Sequence, residues 1–353
     1  MTIRTTLALV FAFTLHAVAA PVEITPPDFR GAVQPQVAVA PSGRIHVVFG
    51  KDDAVFHISS PDGRVFSPPV KVGALEKLAL GMRRGPRIVA TDKLVLITAI
   101  SHADGNVHAW TSADAGETWQ EGARVNGVEK SAREGLQALA GDGRGLVAAV
   151  WLDARSGRNQ PWSRVSRDGG ATWAEEAQIY QSPDGNICEC CAPSVAVAPN
   201  GEIAAMFRNW LDGARDLYVA TSRDGRAFSP AEKLGGGTWK LNGCPMDGGG
   251  IAFAPAGGAP FTVWRREGTV YQARPSAREE VLGVGRDAAI AATARGPVFA
   301  WQTNARLMLL QPGAPTRVLD AAGAAPSLAT AANGRSVVAV WESADTLKAE
   351  ILK

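Results

Sequence analysis

The sequence has no excess of charge of either sign: 36 Lys and Arg face 34 Asp and Glu, a formal net charge of +2. No global field is therefore aimed at nucleic acid or at an anionic membrane. Apolar runs of spanning length are missing, so no membrane insertion is expected. Long helical periodicity is missing as well. Tyrosine is scarce, with 3 copies, which leaves few phenolic nucleophiles. Cysteine is limited to 4, an even number compatible with two disulfides but too small for a disulfide-built scaffold. What is abundant is Gly (38) and Pro (22), with Ala and Val dominating the apolar set. That is an all-β composition rich in turns.

The first residues read as an export signal. Arg4 gives a positive start, Leu7 to Leu15 an apolar run, and Ala17-Val18-Ala19 a small-residue cleavage site. Cleavage after Ala19 predicts a periplasmic or secreted protein, and no cysteine stands there to take a lipid anchor. The rest, 20–353, is expected to form one domain.

One short phrase repeats. It reads Ser112-Ala-Asp114-Ala-Gly116-Glu-Thr118-Trp119 and then Ser166-Arg-Asp168-Gly-Gly170-Ala-Thr172-Trp173. Weaker copies are Ser222-Arg-Asp224-Gly225-Arg-Ala-Phe228 and Ser60-Pro-Asp62-Gly63-Arg-Val-Phe66. The Asp side chain can accept from backbone amides within a turn, and Gly supplies positive φ. The aromatic residue then anchors the turn between strands. A second landmark is an apolar strand that ends in an aromatic: Phe49, Trp151, Phe207, Trp264, Trp301 and Trp341, with Ile100 in the matching place of the second unit. Seven landmarks divide the chain into units near 34–73, 85–127, 134–181, 192–235, 248–283, 286–320 and 324–353. A unit repeated in this way is an array of identical β modules. The last unit is one strand short, and Pro21-Val-Glu-Ile-Thr25 can supply that strand.

The phrase resembles the Asp-box (BNR) repeat of sialidases and related β-propellers. The resemblance implies a β-propeller, seven blades preferred and six the alternative, closed by the N-terminal strand. It places the Asp turns on the lower face. The loops that enter each innermost strand, and those just after the landmark aromatics, then surround the upper mouth of the channel. It carries over no catalytic set: the Arg-Ile-Pro motif of sialidases is not reproduced, and Tyr180, Tyr218 and Tyr271 do not stand out as a nucleophile. Catalytic residues stay unassigned.

All four cysteines fall in upper-face loops. Cys188-Glu189-Cys190-Cys191 enters the fourth unit and Cys244-Pro245-Met246-Asp247 the fifth, so the two groups should meet at the mouth. Two disulfides are one reading. The other is a soft-metal site of Cys188, Cys190, Cys191, Cys244 and Met246, with copper expected and oxidase chemistry in view. Glu189 and Asp247 would support it. His102 is placed near the mouth, His46 against a strand or in solvent, and His57 and His108 on the surface.

Several other polar residues map to the same mouth. Arg83, Arg84 and Arg87 open the second unit, and Arg133 and Glu134 the third. Arg208 and Arg265 come directly after landmark aromatics, and Trp210 and Trp239 lie outside the repeat pattern. Converging guanidinium groups hold carboxylates through paired hydrogen bonds, and sialidases use such a cluster. These nine are the candidate ligand-binding residues, for a small-molecule or glycan ligand. Three functions follow: a soft-metal (copper) protein with possible oxidase chemistry, a sialidase-like hydrolase acting on an acidic sugar, and a non-catalytic binding propeller held by disulfides. A monomer is expected in each case.

Overall fold

Each unit of apolar runs separated by Gly-, Asp- and Pro-rich turns folds into a four-stranded antiparallel sheet, the strands hydrogen-bonded in chain order except that the last sheet takes its outer strand from the N-terminal segment. The computed structural model describes residues 20–353, so the signal-peptide expectation at 1–19 lies outside the described residues. There are seven such sheets, which settles the blade number and removes the six-blade alternative. The innermost strands are Val33–Val39, Arg87–Ala90, Gln137–Gly141, Ser194–Val197, Gly249–Ala252, Arg286–Thr293 and Gly323–Thr330. They are the inner strands of blades 1 to 7.

The ring closes as the sequence suggests. Val22–Glu23 adds to the outer edge of blade 7, Val22 opposite Ala349 and Glu23 opposite Lys348. Ile24 is buried, and its N–H donates to the Leu347 carbonyl at 2.9 Å. A strand edge that would otherwise be open is thereby paired.

The second strand of each blade is buried on both faces along its apolar middle, as a run of small and branched apolar residues requires. All six residues of Ile203–Arg208 are buried, as are all seven of Val147–Asp153. The core lies between blades: Leu136 and Val150 of blade 3 pack with Val195 and Phe207 of blade 4. The landmark side chains Trp151, Trp301, Trp341, Phe49 and Phe207 are among the largest fully buried groups. Truncating one of them to Ala costs about 3–5 kcal/mol.

The four Asp turns share one hydrogen-bond plan. The Ser166 hydroxyl accepts from Gly170 N–H at 2.8 Å and donates to Asp168 Oδ1 at 2.7 Å. Asp168 Oδ1 accepts from Thr172 N–H at 2.8 Å. Burial works against the charged Asp168 carboxylate, but the Thr172 and Ser166 hydrogen bonds prevail and hold its pKa down to about 2. One placement differs from the sequence expectation. His57 is buried, not on the surface, because its ring is enclosed by His46 and by Trp119 of the neighbouring Asp turn. His46 packs, as one of its two expected placements had it.

Candidate functional site

Inner strands 1, 6 and 7 carry the same irregularity where they begin. Their register shifts between Val33 and Gln36, Arg286 and Ala289, and Ala324 and Ser327. Within the shifts Gln34 (φ 57°), Asp287 (φ 52°) and Ala325 (φ 47°) adopt the left-handed region. A bulge re-aims side chains, and left-handed backbone at a non-glycine residue costs about 1–2 kcal/mol. The three bulges open the upper end of the channel into a cavity of about 300 Å³. Its polar wall includes Gln34, Gln36, Arg83, Ser194, Asp287 and Glu342. Its floor is apolar: Leu139, Val195, Ile251, Ile290 and Leu328 border both this cavity and the lower channel.

Two carboxyls face the cavity from adjoining blades. Asp287 is pushed up, first by burial and then by the Asp247 carboxylate, against the opposing pull of Arg83, Arg286 and Arg265. Glu342 is pushed up by burial, and the charge of Asp287 adds to the shift. The Gln34 N–H, which donates to Glu342 Oε1 at 2.7 Å, acts in the opposite direction. Asp247 lies behind them, almost fully buried. Its Oδ1 is 3.7 Å from Arg83 Nη1, and its Oδ2 is 3.8 Å from Arg265 Nη1 and accepts from Asp287 N–H at 3.2 Å.

Arg83 reaches across the channel from blade 2. It donates to the Ala288 carbonyl at 3.2 Å and the Gly249 carbonyl at 3.1 Å, so it bridges the opening to blades 6 and 5. Arg87 also lines the cavity, but its donors are occupied by the carbonyls of Arg83, Arg84, Gly85, Pro86 and Gln137. Burial, and then the charge of Arg83, lowers it to about 9. It holds the 83–86 loop in place.

Other candidates fall elsewhere. Arg84 donates to the Glu134 carbonyl at 2.7 Å and Arg133 to the Lys130 carbonyl at 2.9 Å, both outside the cavity wall. Glu134 Oε1 accepts from Asn159 at 3.3 Å. His102 is exposed against the Arg133 carbonyl. These four lie together on a rim between blades 2 and 3. Trp239 is buried between the guanidinium groups of Arg208 (5.4 Å) and Arg265 (5.3 Å). Trp210 is exposed, with Arg215 over its ring at 4.3 Å.

The cysteine loops meet, with one correction. Cys188, Cys190 and Cys191 bring their sulfurs within 4.8 Å of one another. Cys188 Sγ is 2.7 Å from Cys191 Sγ and 3.7 Å from Cys190 Sγ. Cys244 is exposed, outside this trio, though close enough to raise the Cys190 thiol. Met246, expected as a thioether ligand, is 46% exposed and has a left-handed backbone (φ 50°). All four cysteines are free thiols here. Cys188 is pushed up to about 12, chiefly by its contact with Cys190, and Cys191 to about 12, first by burial.

The residues that sequence reasoning passed over are Asp287, Glu342, Gln34 and Arg215. Glu342 follows Trp341 directly, as Arg265 follows Trp264, so the rule that singled out Arg265 would have found it.

A family model described as BNR repeat-like domain matches residues 85–236, blades 2 to 4. No curated protein matches the chain. Among solved structures, the α-L-arabinanase of Penicillium chrysogenum complexed with arabinobiose is similar with TM-score 0.56 and 14% identity, over 96% of this chain and 98% of that one. A streptogramin B lyase is similar with TM-score 0.59 and 10% identity, over 94% and 97%. A point mutant of NanB sialidase from Streptococcus pneumoniae gives TM-score 0.50 and 9% identity, over 95% and 70%. At such identities the likeness is one of fold, and that fold hosts both hydrolases and a lyase. Among the described residues no helix is long and apolar enough to cross a membrane.

Proposed function

We propose that this BNR-repeat β-propeller takes a sugar-sized ligand into the cavity at the upper end of its channel and cleaves a glycosidic bond there. The observation that supports this most is the pair Asp287 and Glu342, two carboxyls on one cavity wall, both pushed above the usual carboxylate range. A carboxyl whose surroundings favour the protonated form can donate that proton to a leaving oxygen. Its ionised neighbour can activate water or stabilise a developing positive charge on the sugar. Asp287 is the acid in this reading, because Asp247 stands beside it and Glu342 has the Gln34 amide to favour its charge. Asp247 positions Arg83 and Arg265. A cavity of about 300 Å³ suits one monosaccharide-sized unit. Arg83, freed from its two carbonyl partners, would meet a carboxylate on that unit, which favours an acidic sugar.

No tyrosine lines the cavity. Tyr180 and Tyr218 stack in the core with Phe207, and Tyr271 stacks on Trp264. The reading therefore uses carboxyl chemistry in place of a tyrosine nucleophile. Copper oxidase chemistry has no part in it: the polar wall is built of oxygen, amide and guanidinium groups, and the sulfur on the lining is the Met82 thioether, with no thiolate beside it.

The test is a panel of fluorogenic glycosides (a sialoside, a glucuronide and an arabinofuranoside) with the wild type and Asp287→Asn. Turnover of one substrate is expected, with kcat lowered by about 10²–10⁴ in the variant. Ligand binding by calorimetry without turnover of any substrate would instead make the cavity a binding site only.

A further inference from the structure

Beside the cavity lies a second constellation that the hydrolytic reading does not use. Cys188 and Cys191 are fully buried and Cys190 is half-buried. Two guanidinium groups flank them. Arg208 is 1% exposed and gives its hydrogens to three carbonyls, those of Asp247, Arg215 and Arg265. It forms no ion pair with a carboxylate among the described residues, and its charge acts on Cys191. Arg215 is 4% exposed, and its Nε and Nη1 are buried without a hydrogen-bond partner. Its one carboxylate neighbour, Glu189, is 3.7 Å away, and Glu189 Oε2 is itself unpaired.

The charges decide what the sulfurs should be. Two buried guanidinium groups and one carboxylate leave one positive charge without a counterpart, and an unpaired buried charge is costly. Two disulfides are neutral and would leave it so. Two thiolates on one monovalent cation carry one negative charge and would cancel it.

We propose that Cys188, Cys190 and Cys191 form a binding site for a soft, thiolate-seeking metal ion of low coordination number, Cu(I), with Arg208 and Arg215 as its counter-charges. Thiolates select soft ions. Three sulfurs lie together, not four, which fits a two- or three-coordinate ion better than tetrahedral zinc. The 2.7 Å contact between Cys188 and Cys191 is shorter than two ligands of one ion require, so one of these thiols must rotate away on binding. Cys244 is exposed on the facing loop, and a Cβ added at Gly243 would meet nothing closer than Leu241 at 3.9 Å. That open loop gives the ion a sulfur at the solvent side by which to enter. Each thiol that ligates releases its proton to water. No redox step is involved.

The experiment uses full-length protein exported by its host and treated with an alkylating agent at lysis, so that the native thiol count is fixed. An unalkylated portion is then titrated anaerobically against the Cu(I)–bicinchoninate chromophore. One Cu(I) per chain should be withdrawn from the dye. Cys188→Ser/Cys191→Ser should lose that uptake by at least 100-fold with an unchanged circular dichroism spectrum. Should that variant fail to fold, Arg215→Met serves in its place: it keeps every sulfur and should weaken uptake about tenfold. A native thiol count of zero would overturn the proposal in favour of two disulfides. So would unchanged uptake in the double variant, uptake indifferent to Arg215→Met, or displacement of Cu(I) by equimolar Zn(II).

Discussion

Acid should loosen the first blade before it touches most others, through a pair of imidazoles. His46 Nδ1 and His57 Nε2 are 3.1 Å apart, on neighbouring strands, and both residues are 1% exposed. Burial, and then the charge of Arg44, lowers His46 to about 4. Burial, and then His46, lowers His57 to about 3. In the unfolded chain both return to about 6.5. Because the folded values are depressed, the unfolded chain takes up protons first as pH falls. Stability is therefore complete above about pH 6.5 and is lost on descent through the window down to about 4 and 3. At pH 4.5 each neutral imidazole forgoes roughly 2.5 kcal/mol of protonation free energy, about 5 kcal/mol for the two. That is comparable to the entire stability of many domains. His57→Gln keeps a polar partner for His46 and removes one titration. Urea unfolding followed by tryptophan fluorescence between pH 4.5 and 6 should show a wild-type stability slope steeper than that of the variant by about 1.2 kcal/mol per pH unit. Carboxylates titrate equally in both proteins and cancel in the difference. Parallel profiles would show that the buried pair is not linked to folding, and the reasoning would fail.

Two further outcomes follow from the architecture. Removing residues 20–25 unpairs the edge of blade 7 and takes the buried Ile24 side chain out of the core, which should cost about 2 kcal/mol for the lost burial and about 1 kcal/mol for each backbone hydrogen bond lost, read as a lower thermal midpoint. Asp168→Ala removes the acceptor of Thr172 N–H and should lower stability by about 1–2 kcal/mol while glycoside turnover per folded molecule stays the same, since the Asp turn lies at the end of the blade opposite the cavity; a loss of turnover would place the site on the wrong face.

The repeats, the seven blades and the closure of the ring were legible because contiguous residues carry them. Ser166 bonds Asp168 and Gly170 within five residues, and the run ending in Trp151 is buried on both faces whatever its neighbours are. The meeting of the cysteine loops was legible at one remove, since a ring places successive entry loops side by side. The direction of each side chain was not. Arg83, Arg84 and Arg87 stand within five positions of one another. One bridges the channel, one binds the rim and one is spent on five carbonyls. Met246 is exposed where a ligand was expected.

Local turn chemistry and apolar periodicity thus set the architecture from sequence alone, because such interactions span a few residues and repeat. The tertiary structure alone decided which charges go unpaired. Asp287 owes its raised pKa first to burial and then to Asp247 on another blade, and Arg208 is enclosed by carbonyls with no carboxylate paired to it among the described residues. Electrostatic energies of buried groups depend on distance and desolvation in three dimensions, and neither is written in the order of the residues.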